Sequence, residues 1–474
     1  MHVHAALAGF PAPVTVSAAE VASANAKSPS ILVVLDDDPT GTQSVADLPV
    51  LTRWDVADFD WAFRQNAAAV YVLTNSRSLA EDEAARRNVE IVRNASESAS
   101  ALGLTLDFVS RSDSTLRGHF PLETDTIART VREVSRVEID GVVIVPAFPD
   151  AGRVTIGGVH YMLAGTELTP VAETEFAKDA TFGYGNSELA KWVQEKSHDR
   201  IDSGDVIVLD LGIIRAGSAA VADAIAGAAA STPIVADALT EDDLRLLSLG
   251  LIEAESRGKK LLYRVGPPFV RARIGQEQRA PLTAAEIFPE TSSGAVGGLI
   301  VVGSHVGVTT RQLVRLRSDK PDASTIEINV DAVIHSDDPS HLLSEVAAQV
   351  IAKLATGDVI VHTSRLLMKT DDPAESLDIS RRVSAAVVSV VQQTIAATSP
   401  RFVIAKGGIT SSDVAAHGMS IRHAIVRGPM LPGIVSLWEP VDGPAKGIPY
   451  IVFAGNVGDD SSLAAVVSIL TAPR

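Results

Sequence analysis

Short apolar runs alternate with longer amphipathic stretches along most of the chain. In the first half the runs include "ILVVLDD", "AVYVLTNS" and "GVVIVPAFP", and in the second half "GLIVVGSHV", "GDVIVHTSR" and "RFVIAKGG". Unbroken apolar runs of this length are typical of strands that are buried on both faces. The helical stretches between them indicate βαβ units with parallel sheets. The pattern therefore predicts an α/β protein with mainly parallel sheets.

The segment "IGQEQRAPLTAAEIFPETSSGAVGG" separates the two sets of runs. It is polar, contains two prolines and a Ser-Ser-Gly cluster, and has no strand-like run, as is typical of an inter-domain connection. The amino-terminal residues, rich in Ala, Ser and Val, are expected to form a flexible extension. We therefore predict an extension at residues 1–28, a first domain at 29–280, a linker at 281–295 and a second domain at 296–474.

The composition narrows the range of functions. A chain of 474 residues is too long for one hydrophobic core, which agrees with two domains. The net charge of −17 argues against nucleic acid or an anionic membrane as the main partner. No apolar run reaches the ~18 residues that span a bilayer. The chain lacks cysteine, which excludes disulfides, and its amino terminus lacks a signal-peptide pattern, so the cytoplasm is the expected location.

Charged and hydroxyl side chains follow the predicted strands of the first domain. In open parallel sheets, ligands bind at the carboxyl ends of strands, because the connecting loops meet there. Those loops read "DDDPTGTQ", "TNSRS" and "SRSDSTLRGH". Arginine binds a carboxylate through two parallel hydrogen bonds, and aspartate accepts hydrogen bonds from hydroxyls. The loops indicate a site for a small hydroxylated anion; the alternative is that their charges cap helices and pair with one another.

Glycine-rich turns follow the predicted strands of the second domain. They read "VVGSHVGVTTRQL", "IAKGGITSSDVAA" and "VFAGNVGDDSSLAAVV", and each leads into a predicted helix. Glycine lets the backbone approach a phosphate closely, and the N–H groups at a helix N-terminus favour anions. Neither a P-loop nor a dinucleotide fingerprint is present. The turns indicate a phosphate or nucleotide site unless they serve tight packing alone, and the two sites together suggest a phosphotransferase.

The ordered set of these segments resembles the four-carbon acid sugar kinase family. The matching pieces extend along nearly the whole chain from Ile31 and include "DDDPTGTQ", "SDSTLRGHFPLE", "VPAFPDAGRVTIGG", "GSHVGVTTRQL", "KGGITSSDVA" and "FAGNVGDD". The resemblance implies an N-terminal acid-sugar-binding domain and a C-terminal nucleotide-binding domain. It also implies that ATP, with Mg²⁺, phosphorylates the terminal hydroxyl of an acid such as threonate, erythronate or 3-oxo-tetronate. A homodimer is left open.

The resemblance and the chemistry of phosphoryl transfer assign roles to individual residues. Phosphoryl transfer uses cations on the phosphates and often a carboxylate near the attacking hydroxyl. The candidate catalytic residues, which the sequence does not rank, are Asp37, Asp38 and Asp113. The expected substrate-binding residues are Thr40, Arg77, Arg111, Ser114 and Arg117, with Arg117 on the substrate carboxylate. The expected nucleotide-binding residues are Ser304, Lys406, Gly407, Gly408, Thr410, Gly455 and Asn456, with Lys406 on the phosphates. The metal ligands are not identified.

Some positions depart from the family pattern and leave the substrate open. Ile409 stands where an acidic residue is common, and Asp413 follows four places later. Arg111 stands where a lysine is common. Asp36 is expected to end its strand and cap the following turn.

Two other functions remain as alternatives. The spacing of Asp36 and Asp38 also suits a Mg²⁺-dependent phosphatase with an aspartate nucleophile. The third possibility is a non-catalytic sensor of acid sugars.

Overall fold

The structure is a computed structural model that describes residues 1–288, 297–364, 373–455 and 457–472. It consists of two compact units. The first contains Met1–Pro49 and Trp54–Gln278, and the second contains Val50–Arg53 and Arg279–Arg474. The main boundary between the units along the chain thus lies between Gln278 and Arg279, just before the segment expected to be a linker.

Parallel strands form the main sheet of the first unit. Their order is β3-β1-β4-β11-β5-β10-β9, and every neighbouring pair is parallel. Strands β6, β7 and β8 form a separate antiparallel sheet. The strands are β1 Ile31–Asp36, β2 Leu48–Leu51 (which crosses between the units), β3 Ala69–Leu73, β4 Leu106–Arg111, β5 Gly141–Val145, β6 Arg153–Ile156, β7 Val159–Ala164, β8 Glu167–Pro170, β9 Ile207–Leu209, β10 Thr232–Ala236 and β11 Leu261–Val265.

Helices alternate with these strands. They are α1 Val3–Ala6, α2 Ala18–Asn25, α3 Val56–Phe63, α4 Glu81–Leu102, α5 Leu122–Ser135, α6 Leu189–Lys196, α7 Leu211–Arg215, α8 Ser218–Ala224, α9 Glu241–Ser256 and α10 Pro267–Arg273. The central strand β1 is buried from Leu32 to Asp36, which explains why its sequence is continuously apolar up to its last residue.

The second unit also has a mainly parallel sheet. Strands β13-β14-β12-β15-β18 are parallel in this order, and β17 and β16 continue the sheet in antiparallel pairing. The strands are β12 Leu299–Val302, β13 Ser324–Ile328, β14 Val359–Thr363, β15 Val403–Lys406, β16 His423–Leu431, β17 Ile434–Pro440 and β18 Tyr450–Phe453. The helices are α11 Ala284–Ile287, α12 Gly307–Asp319, α13 Val330–His335, α14 Ser340–Leu354, α15 Pro373–Ala397, α16 Gly408–Asp413 and α17 Ser462–Thr471. The predicted α/β class with mainly parallel sheets is confirmed.

The amino-terminal residues differ from the flexible extension that we expected. Val16 and Val21 are buried, and Ser17 and Glu20 form a capping box at the start of α2. The Asn25 side chain donates a hydrogen bond to the carbonyl of Arg273 at 2.7 Å. This hydrogen bond joins residues that are far apart in the chain, so no local pattern predicted it.

Within the described parts of the chain, no helix combines the length and the apolar character that crossing a membrane requires.

Candidate active site

The aspartate run lies where β1 ends and the chain turns. Asp36 is the last residue of β1, and residues 39–44 form a 3₁₀ helix. Asp38, rather than Asp36, caps this turn: its carboxylate accepts hydrogen bonds from the backbone N–H of Thr40 at 2.9 Å and from the Thr40 hydroxyl. The prediction that Asp36 ends the strand is therefore correct, whereas the capping role belongs to Asp38.

Asp36 is buried under Gly41. Its side chain is buried and accepts a hydrogen bond from Nε of Arg111, the last residue of β4. Gly41 packs directly over this pair, and a β-carbon at that position would overlap both the carboxylate and the guanidinium. Burial raises the pKa of Asp36 to about 8, although the charge of Arg111 acts in the opposite direction. Asp36 is therefore a structural group beneath the site.

Asp37 is held by two guanidiniums. Arg77 donates from Nε to Oδ2 at 3.1 Å and from a terminal nitrogen to Oδ1 at 2.6 Å, which is a bidentate pair. A terminal nitrogen of Arg111 lies 3.3 Å from Oδ1 of Asp37. Burial raises the pKa of Asp37 even so. Asp38 lies 3.6 Å from Arg77. Burial also acts to raise the pKa of Asp38, but Arg77 and Arg111 outweigh it and lower that pKa.

The loop after β4 brings a third carboxylate to the same place. Asp113 accepts hydrogen bonds from Nε of Arg117 at 2.6 Å and from the Thr115 hydroxyl. Burial acts to raise the pKa of Asp113, but Arg77 and Arg117 hold it well below its usual range. Arg117 lies 3.6 Å from Asp179. Asp113 is therefore ionised at neutral pH.

Exposure separates these groups into two layers. Asp38 and Asp113 keep 18% and 14% of their side-chain surface exposed, whereas Asp37 keeps 2%. Arg77 and Arg117 keep 20% and 22%. The groups that a ligand can reach are thus two ionised carboxylates and two guanidiniums. Such a set can bind hydroxyls and a carboxylate together.

Two neighbouring side chains support this layer, and sequence reasoning assigned a role to neither of them. Nε2 of His160, on β7, lies 2.7 Å from the carbonyl oxygen of Ser114. The hydroxyl of Tyr184 donates to the carbonyl of Thr115 at 2.7 Å. Burial lowers the pKa of His160 to about 4, so its ring is neutral. Ser114, a predicted substrate-binding residue, has a buried side chain and is held by its backbone.

A buried network lies behind Asp37. Glu123 accepts hydrogen bonds from Ser76 at 2.5 Å and from Arg264 at 2.9 Å. Ser76 begins the 3₁₀ turn that carries Arg77. Gly118, with a φ of +116°, approaches so closely that a β-carbon there would lie 3.0 Å from Arg264 and 3.1 Å from Asp37. The glycine in "LRGH" thus allows this close packing.

The glycine-rich turns of the second unit converge at the ends of three neighbouring parallel strands. Ser304 follows β12, Gly407 follows β15, and Gly455 lies just after β18. A β-carbon on Gly455 would lie 2.7 Å from the Ser304 hydroxyl, and one on Gly407 would lie 2.8 Å from the Thr410 hydroxyl and 3.3 Å from Ser304. Gly407 has a φ of +137°, which is accessible to glycine. Gly408 begins α16. These residues thus form a compact cradle, in which the glycines make room for the side chains of Ser304 and Thr410.

Lys406 and Asp413 have hydrogen-bond partners within the second unit. Lys406 is fully buried, and its ammonium donates to the carbonyl of Ala454 at 2.6 Å. Asp413 accepts a hydrogen bond from Ser384 on α15. Asn456 lies outside the described residues. In the part of the chain that the structure describes, no three His, Cys, Asp or Glu side chains are grouped closely enough to hold a metal ion.

Comparisons with known proteins agree with this division of chemistry. Residues 32–273 match the model of a sugar-binding N-terminal domain, and residues 299–463 match that of a nucleotide-binding C-terminal domain. The D-erythronate kinase of Heliobacterium modesticaldum is 26% identical over 341 residues, which are 70% of this chain and 68% of that protein. The D-threonate kinase of Cupriavidus necator is 27% identical over 246 residues, which are 51% of this chain and 52% of that protein.

A solved structure supports the fold. A crystal structure from Salmonella typhimurium LT2 matches with a TM-score of 0.66 at 16% identity, and the match covers 92% of this chain and 98% of that one. Both domain models match in order and together span most of the chain. The protein therefore belongs to the four-carbon acid sugar kinase family and is a phosphotransferase with an alcohol group as acceptor.

Proposed function

We propose that this protein transfers the γ-phosphoryl group of ATP to the terminal (C4) hydroxyl of a four-carbon acid sugar such as threonate, erythronate or 3-oxo-tetronate. The observation that carries the proposal is the exposed layer of two ionised carboxylates and two guanidiniums in the sugar-binding unit. A phosphorylated ligand or a nucleotide alone would not need carboxylates there, because they repel phosphate. A polyhydroxy acid needs both charges.

Arg117 would bind the substrate carboxylate. Nε of Arg117 donates to Asp113, a terminal nitrogen lies 3.6 Å from Asp179, and the guanidinium packs over the ring of Phe176, so its terminal nitrogens would be the groups that contact the ligand. Asp113, next to the carboxylate site, would accept hydrogen bonds from the substrate hydroxyls. With the substrate carboxylate on Arg117, the terminal hydroxyl would lie at the other end of the exposed layer, toward Asp38.

Asp38 is the best candidate for the general base. It is partly exposed and ionised, and Arg77 is 3.6 Å from its Oδ2, beyond hydrogen-bond distance. The Thr40 contacts fix its Oδ1 and leave Oδ2 to accept the proton of the attacking hydroxyl. Asp36 and Asp37 lack this access, because both are buried and bound to arginine. The same burial argues against the phosphatase alternative, in which Asp36 would have to attack phosphorus.

Mg²⁺ would accompany the nucleotide. This ion keeps several waters and commonly binds through one or two carboxylates and the substrate phosphates, which does not require a cluster of acidic side chains. Asp459 and Asp460, which follow the glycine-rich turn after β18, are the carboxylates that would contact it. When bound, Mg²⁺ neutralises charge on the phosphoryl group that is transferred.

The test is a screen of threonates, erythronates and their oxo forms with ATP, measured by ADP release and by detection of the phosphorylated acid. We expect Asp38→Asn to lower kcat about 10²- to 10⁴-fold with little change in the KM of the acid. Asp113→Asn should mainly raise that KM. Normal turnover by Asp38→Asn would exclude Asp38 as the general base. Absence of ADP release with every acid would refute the proposed reaction.

A further inference from the structure

Lys406 is buried beneath the glycine-rich turn that follows β18. Its side chain is fully buried at the end of β15, and its ammonium donates to the carbonyls of Ala454 at 2.6 Å and Val457 at 3.3 Å. The ammonium also lies 3.9 Å from the ring centroid of Phe453. Among the described residues, no carboxylate forms an ion pair with it. Burial of an ammonium without a counter-charge is unfavourable, so this position calls for an explanation.

Two side chains of α12 also donate hydrogen bonds to this turn. Thr309 donates to the carbonyl of Gly455 at 2.7 Å. Gln312 donates to the carbonyls of Val457 at 3.1 Å and Asp459 at 2.7 Å. Four carbonyls between residues 454 and 459 thus accept hydrogen bonds from side chains of this unit. The negative ends of these peptide dipoles are thereby directed into the protein, which favours an anion on the opposite side of the turn.

We propose that Lys406 is a positioning residue that holds the carbonyls of Ala454 and Val457 in the arrangement required by the nucleotide phosphates and supplies its charge to them without contact. The inference rests on the proposed use of ATP. It replaces the sequence-based expectation that Lys406 reaches the phosphates directly, because a buried ammonium with two carbonyl partners is directed away from a ligand.

The charge state of Lys406 links the turn to pH. Burial lowers the pKa of Lys406 to about 7, so the ammonium is lost as the pH rises above neutrality. Phosphates bound on the other side of the turn would favour the charged form, and nucleotide binding above this pH should therefore take up a proton. The titratable groups on the surrounding elements have other partners: Asp413 with Ser384, Asp459 with Ser461 and Ser462, Asp460 with Arg311, Tyr450 with Ser411, and His305 with Thr363.

The test measures ADP and ATP binding to the full-length protein by isothermal titration calorimetry, without acid sugar. Lys406→Met keeps the apolar stem but removes the charge and the donor. Thr309→Val removes a neutral hydrogen bond to the same turn, and Lys353→Met, at an exposed position on α14, is the matched control. We expect Lys406→Met to weaken binding at least about tenfold and Thr309→Val about threefold, whereas Lys353→Met binds normally.

Proton uptake separates the charge from a merely structural role. At about pH 8, the binding heat of the wild-type protein should depend on the ionisation enthalpy of the buffer, and this dependence should vanish in Lys406→Met. Normal affinity of Lys406→Met, or no proton uptake by the wild-type protein, would overturn the inference while ATP binding itself stands. A wild-type protein that binds neither ATP nor ADP would instead refute the proposed function.

Discussion

Gly118 offers a sharp test of the close packing around Asp37. In Gly118→Ala, the new β-carbon would lie 3.0 Å from a terminal nitrogen of Arg264 and 3.1 Å from Oδ2 of Asp37. Both side chains are buried and bound to other groups, so they can move only by breaking contacts. The φ of +116° adds backbone strain of about 1–3 kcal/mol, and overpacking adds about 1–3 kcal/mol. We therefore expect a loss of about 2–6 kcal/mol in the free energy of unfolding.

Gly103→Ala is the matched control. Gly103 is the C-cap residue that follows α4 and has a φ of +69°, and a β-carbon there would have no atom within 4 Å. Only the backbone strain of about 1–2 kcal/mol applies to it. Unfolding in urea and steady-state kinase assays should show Gly118→Ala to be clearly less stable and at least about tenfold lower in kcat/KM, because Asp37 and Arg77 shift together. Equal stability and activity of the two variants would refute the packing argument.

Further predictions concern three other residues. The pKa of His160 falls from 6.5 to about 4 on folding, because burial disfavours its charged form. Above pH 6.5 the ring is neutral in both the folded and the unfolded state. As the pH falls from 6.5 toward 4, the unfolded state takes up a proton first, so the free energy of unfolding decreases by about 3 kcal/mol. If His160→Gln shows the same acid sensitivity in denaturation curves, another group is responsible. Tyr184→Phe removes the hydrogen bond to Thr115 and should raise the KM of the acid, and an unchanged KM would mean that this bond does not position the loop. Val21→Ala should lower the free energy of unfolding by about 2 kcal/mol because Val21 is fully buried, and no change would support a flexible extension.

Local patterns were sufficient to predict the fold class and the loops that come together at the ends of the strands. Apolar runs identify buried parallel strands because side chains on both faces of such strands are covered. The carboxyl ends of these strands meet at one edge, so the residues after each run come together regardless of their separation in the chain. The aspartate turn and the cradle of Ser304, Gly407 and Gly455 were found in this way.

The roles of neighbouring residues depended on contacts between distant parts of the chain. The sequence did not rank Asp37 and Asp38, but Arg77 binds the buried Asp37, whereas Asp38 stays partly exposed. Lys406 ends its strand as the sequence suggested, yet its side chain turns inward to carbonyls of residues 454 and 457. A strand pattern tells where a residue lies, whereas burial and charge depend on which remote groups pack against it, and tertiary structure alone brings those groups together.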